Sequence, residues 1–153
     1  LIIRIAAHFI FRIKETGMRD IVMTVPAVAL RGMTILPGMI AHFDISRERS
    51  VKAVEQAMVQ EQEIFLVTQR DVDKENPTMD DLYKIGIVAE IKQVIKLQNN
   101  VIRILVEGKT RAELYGFTGR AEYLEAEIIR LGDEADEELV PAAREAMVTS
   151  IQE

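Results

Sequence analysis

The sequence predicts an α+β fold that is mostly β: a strongly bent sheet or partly open barrel with one helix, followed by the start of a helical subdomain. Three observations lead there. Between Val25 and Leu131 short apolar runs recur, separated by Gly, Pro and Asn, which is how successive strands and turns read. One segment, Arg47 to Gln62, instead carries apolar residues at helical spacing. After Gly132 the composition turns acidic and then resumes a helical stripe.

The first residues stand apart. Leu1 to Gly17 has no initiating Met and reads LIIRIAAHFIFRIKETG, apolar with Arg4, His8 and Arg12 every four residues. A membrane-surface or targeting segment would show that basic stripe. The plainer expectation is a leader over residues 1–22, vector-derived, read through from upstream or disordered, ahead of a domain over 23–132.

Val25 to Leu30 forms the first strand. It runs into Arg31-Gly32-Met33-Thr34-Ile35-Leu36-Pro37-Gly38, where two glycines and a proline impose an irregular loop. Met39 to Ile45 reads as a second strand. Ser46 suits an N-cap for the helix over Arg47 to Gln62, with Val51, Val54 and Met58 as its apolar stripe and Glu48 pairing with Lys52. Ile64 to Thr68 is a buried strand by its β-branched and aromatic content. Asp71 to Pro77 is an acidic loop, with a short helical turn over Asp80 to Tyr83.

The clearest alternation follows. Ile85, Ile87, Ala89, Ile91, Ile95 and Leu97 share one parity, with Lys84, Gly86, Glu90, Lys92 and Lys96 on the other, so one face is apolar and one solvated. Gln93 interrupts the apolar parity and should bond or mark a bulge. Gln98-Asn99-Asn100 is a turn and Val101 to Glu107 the return strand. Gly108-Lys109 should break that strand before further strands at Arg111 to Phe117 and Tyr123 to Leu131. Residues 133–153 read as a helix with acidic first residues, Pro141 in its first turn, and Ala143, Met147 and Ile151 as a stripe. A stripe that runs uncapped to Glu153 marks an interrupted helix and hence a fragment of a longer chain.

Composition narrows the function. The hydrophobic fraction of 48% and charged fraction of 29% fit a globular domain. No cysteine is present, which excludes disulfides, thiolate metal sites and a cysteine nucleophile, and suits a cytoplasmic setting. A net charge of −6 opposes a phosphate-backbone partner, and no apolar run is long enough to span a membrane. Neither nucleic acid nor membrane is an expected partner.

No phosphate loop, HExxH, GxGxxG or GxSxG motif occurs, so no catalytic residue, cofactor or metal is assigned. His42 shares a parity with Asp44, a pattern far more often structural than catalytic. Asp71, Asp73 and Glu75 have a calcium-loop spacing, but Lys74 and Pro77 intrude and the required glycine is missing. Tyr115 and Phe117, with Lys109 and Arg111 nearby, could stack single-stranded nucleic acid, against which stand Glu113 and the acidic chain. The loop residues Met33, Ile35, Leu36, Pro37 and Met39 are unusually apolar for a loop. They are the candidate substrate-binding site, since methionine adapts to varied apolar partners; the alternative is that they pack as core over the barrel mouth.

Two blocks carry a family resemblance. VPAVALRGMTILPGMIAHFDISRERSVKAVEQAM, Val25 to Met58, contains Leu30-Arg31, Pro37-Gly38 and the Arg47 to Ser50 helix start; LYKIGIVAEIKQVIKLQNNVIRILVEGKTRAEL, Leu82 to Leu114, contains a hairpin and the Glu107-Gly108 turn. In this order, with Asn76-Pro77 between them, they resemble the N-terminal domain of Lon-type ATP-dependent proteases over more than two thirds of the chain. Lys109 departs from the pattern, where relatives usually carry an apolar residue. The resemblance implies a PUA-like β domain followed by a helical subdomain, a role in recognising unfolded or damaged protein clients, and self-association within a hexameric parent. It places the ATPase and serine-lysine peptidase parts far downstream. A stand-alone adaptor or substrate receptor of the same fold, or an RNA-binding module, are the competing expectations, and fold alone does not choose among them.

Overall fold

The structure, a computed structural model, describes residues 22–132. The leader expected over residues 1–22 lies outside the described residues except for Val22, and the helix expected over 133–153 lies outside them entirely. In chain order the elements are β1 (Val22–Leu30), β2 (Ile40–Ile45), α1 (Glu48–Val59), β3 (Glu63–Thr68), a 3-10 turn (Met79–Asp81), β4 (Ile85–Lys96), β5 (Ile102–Phe117) and β6 (Glu125–Arg130).

The six strands form one sheet ordered β2-β5-β4-β3-β1-β6, and β5 also pairs with β6. That last pairing closes β5, β4, β3, β1 and β6 into a ring and leaves β2 attached outside it. β1 and β3 are parallel; the loop, β2 and α1 form the connection between them. β5 is long enough to serve both sides: Ile102–Glu107 pairs with β2, and Ala112–Phe117 pairs with β6.

Two apolar clusters hold this arrangement. One draws Val25, Ala27, Ala29, Phe65, Val67, Val88, Ala112, Leu114, Ala126 and Ile128 from the five ring strands, with Leu82 from the segment after the 3-10 turn. The other unites the opposite faces of β1, β3 and β4 with Ile102, Ile104 and Val106 of β5, Ile45 of β2, and Ala53, Val54 and Ala57 of α1. Because successive strand residues face opposite sides, Phe65 and Leu66, or Ile87 and Val88, serve different clusters. β4 is therefore buried on both faces over Ile87, Val88 and Ala89, where alternation predicted one.

Several local expectations are corrected. α1 is capped by Arg47, without a side-chain cap bond, and not by Ser46. Its buried face is Ser50, Ala53, Val54 and Ala57, small residues that let the helix sit close to the sheet, while Val51 and Met58 flank it. The Glu48–Lys52 pair forms, at 3.2 Å. Gln93 does mark a bulge: Ile91 pairs with Val106 but Gln93 with Leu105, so Lys92 is the extra residue. An inserted residue reverses the facing of everything beyond it. Val94 consequently packs on the core, and Ile95 and Leu97, expected inside, are exposed. Gly108-Lys109 does not end the strand, because β5 continues through it with Lys109 bulged between Gly108 and Thr110.

Candidate functional site

The apolar loop lies between β1 and β2 and is pinned at three places. The Thr68 hydroxyl donates to the Met33 carbonyl at 2.8 Å. The Met39 N–H donates to the Leu36 carbonyl at 3.0 Å, closing a four-residue turn with Pro37 second and Gly38, at φ +81°, third. That is the type II pattern, in which proline supplies a fixed φ and glycine the positive one. Finally, Gly38 N–H donates to the Gly108 carbonyl and Gly108 N–H to the Met39 carbonyl, each at 2.8 Å.

Gly108 has to be glycine for this to happen. A Cβ built there would overlap the Leu36 carbonyl and come within 2.7 Å of Ile87 Cδ1. The missing side chain lets the loop lie on β5, so the residue read from sequence as a strand breaker is a seat for the turn.

The five candidate residues separate by burial. Ile35 is 4% exposed and belongs to the core cluster containing α1; it anchors the loop and offers no contact surface. Met33 is partly buried against the same cluster, and Leu36 is half-buried. Pro37 and Met39 are exposed. Beside them Ile40, a β2 residue outside the candidate set, is 66% exposed. Its signal was present: Ile40 shares the polar parity of His42 and Asp44, while Ala41, Phe43 and Ile45 carry the core-facing parity. Ile85 is also exposed, two residues before the buried Ile87 on the same face of β4.

The charges around this surface neutralise one another. Ile40 lies opposite Glu107 in the β2–β5 register, and Glu107 binds Lys109 at 3.0 Å and Lys92 at 3.2 Å. Both lysines also reach Glu90, at 3.6 and 3.2 Å. These bonds, first that of Lys109, hold the Glu107 carboxyl below its ordinary range, and the two glutamates raise Lys92. Farther along, Arg103 donates to both Asp44 oxygens at 2.7 and 3.2 Å, which lowers the Asp44 pKa. The Asp44 carboxylate is bonded to Arg103, and among the described residues no hydrogen bond joins it to His42. A self-neutralised surface gives little long-range pull on a charged ligand.

The neighbouring acidic loop is also built inward. Gln69, 2% exposed, donates to the carbonyls of Asp71 and Lys74 at 3.0 and 2.9 Å and accepts from Arg47 at 2.5 Å. Burial is the first cause of a lowered Arg47 pKa, with nearby Arg31 adding to it. The Asp71 carboxylate accepts from the Asp73 N–H at 2.9 Å, a local turn bond. Among the described residues no group of three or more His, Cys, Asp or Glu is placed to hold a metal. Phe117 packs against the ring cluster, so it does not stand free as a stacking platform. A cavity of about 330 Å³ lies beside β1, β6 and the end of α1, where Glu63 and Arg130 form an ion pair. No described helix is long and apolar enough to cross a membrane.

Comparison with known proteins agrees with this geometry. The family model for the ATP-dependent protease La (LON) substrate-binding domain matches residues 24–153. The Lon protease of Lachnoclostridium phytofermentans is 45% identical over 135 residues, 84% of this chain and 17% of that protein. The Lon protease of Desulforamulus reducens is 42% identical over 117 residues, 76% of this chain and 14% of that protein. The chain thus spans less than a fifth of the length of these relatives. A solved N-terminal domain of Mycobacterium avium complex Lon protease superposes with a TM-score of 0.59 at 18% identity, covering 72% of this chain and 56% of that one. At that identity the superposition speaks for the shared fold alone.

Proposed function

The chain belongs to the substrate-binding domain family of the ATP-dependent protease La, Lon, and from that membership we propose that it is the non-catalytic N-terminal part of a cytoplasmic ATP-dependent serine protease, where it captures unfolded or damaged protein clients. The observation that carries this reading is the apolar turn: Pro37, Met39 and Ile40 are exposed side by side on a loop fastened to β5 through Gly108. Unfolded chains share no sequence but do expose apolar side chains, and methionine adapts to different shapes. The self-neutralised charges beside the turn favour apolar over electrostatic recognition.

Burying about 100 Å² of client apolar surface here would contribute roughly 2.5 kcal/mol before ordering costs. One patch binds weakly, and avidity supplies the rest if the parent displays several copies in a ring, as a hexamer would. In this reading the domain contributes to assembly as well as capture, and hydrolysis and ATP turnover belong to the remainder of the parent.

The test is Met39→Ser combined with Ile40→Thr. Both side chains are exposed, so the melting temperature should move by no more than about 2 °C, within the range of surface substitutions. Binding of reduced, carboxymethylated α-lactalbumin should fall severalfold. Unchanged binding by the folded double variant refutes the reading.

A further inference from the structure

We propose that the free edge of β2 pairs with an extended stretch of the client backbone, adding a strand to the sheet; this rests on the apolar turn as the capture site. Among the described residues every ring strand has neighbours on both sides, and β2 alone has one. The bond from Gly108 N–H to the Met39 carbonyl fixes the phase of the β2–β5 ladder. In an antiparallel pair, bonded and non-bonded residue pairs alternate. Ala41, Phe43 and Ile45 therefore direct their N–H and C=O groups to β5, and Ile40, His42 and Asp44 direct theirs away from it. Among the described residues no backbone partner is assigned to those outward groups.

An open edge invites pairing, and proteins usually blunt one with lysine, proline or a bulge. β2 has none of these: its sequence is IAHFDI and its register with β5 is unbroken. The edge begins at Met39 and Ile40, so a client whose apolar side chain rests on the turn already lies beside three pairs of unused backbone groups. Main-chain bonding reads no sequence, which suits clients that have only an unfolded backbone in common. A second copy of this chain fits less well. Two-fold antiparallel pairing centred on His42 would set His42 against its counterpart and the exposed Ile40 against the Asp44 already committed to Arg103.

The experiment uses the full chain and reduced, carboxymethylated α-lactalbumin as probe. His42→Pro removes one outward N–H and blocks the edge without taking a bond from the β2–β5 ladder, a placement edge strands tolerate. It should weaken probe binding by roughly tenfold with little change in melting temperature, while His42→Thr, which keeps the N–H, should bind as the parent does. Wild-type amide exchange gives a second readout independent of the variant's folding: Ile40, His42 and Asp44 should exchange quickly alone and slow on adding probe. Normal binding by folded His42→Pro, or no slowing at these amides, overturns edge pairing. If the turn substitutions still abolish binding in that case, apolar capture stands without it. Slowing that follows protein concentration without probe would assign the edge to self-association, which also overturns the proposal.

Discussion

The carbonyl oxygen of Leu36 occupies the space that a side chain on Gly108 would need. The turn and β5 therefore approach each other more closely than any other residue at position 108 allows. Gly108→Ala should cost about 1–3 kcal/mol by forcing the two apart, and should also weaken client binding by loosening the turn. Gly38→Ala meets open space but sits at φ +81°; it should cost about 1–2 kcal/mol through backbone strain alone. Urea midpoints for the pair check both values. An alanine at 108 without effect would mean that the turn is not seated on β5.

The bulge at Lys92 makes a prediction opposite to simple alternation. Val94→Ala should cost about 1 kcal/mol because its side chain packs on the core. Ile95→Ala, the larger truncation, should stay within about 0.5 kcal/mol because that side chain is 43% exposed. Ile104, fully buried opposite this segment, sets the scale: Ile104→Ala should cost about 2–5 kcal/mol. If Ile95→Ala proves the more damaging of the first two, the bulge is misplaced.

The turn of the β4–β5 hairpin requires left-handed backbone at both Asn99 and Asn100, at φ 61° and 60°. Two successive positive φ values are the type I′ pattern favoured by hairpin twist. Asn100→Gly should therefore be neutral or stabilising, whereas Asn100→Val should cost about 1–2 kcal/mol. Thermal melts of the two variants should bracket the parent.

Acid should loosen the domain through its paired carboxylates. Glu107, Asp44 and Asp81 all have lowered pKa values, from Lys109, Arg103 and the Thr78 backbone N–H respectively. A folded pKa below the unfolded one means that the folded state binds fewer protons. The contribution is thus complete above the ordinary carboxylate pKa of about 4 and is lost as pH falls through the lowered values. All three groups are solvent-accessible, so the effect is modest at neutral pH. Melting temperature recorded from pH 7 downward should decline less steeply below about pH 4 in Glu107→Gln than in the parent; identical slopes would remove Glu107 from the account.

Much of the fold was legible because it rests on local patterns. Alternation from Ile85 onward marked the hairpin, Asn99-Asn100 marked its turn, and the misplaced Gln93 marked the bulge. What stayed hidden depends on a partner. An extra residue is defined only against the opposite strand, so which side of Lys92 Ile95 and Leu97 faced could not be read from β4 alone. Gly108 looked like a break because the segment it accommodates lies about 70 residues earlier. The candidate loop was found by its composition, but composition does not separate Ile35, which anchors, from Pro37 and Met39, which are displayed. Ile40 is legible in its parity with His42 and Asp44, which sets it on the exposed face of β2.

Ring closure joins β1 to β6, segments separated by about 100 residues. On a ribosome adding roughly 5–20 residues per second, β1 would wait about 5–20 seconds for that last neighbour to be synthesised. During that interval Val22 to Leu30 is a nascent apolar strand with an unsatisfied edge. A domain proposed to seize unfolded chains would thus be, while being made, briefly a chain of the kind it seizes.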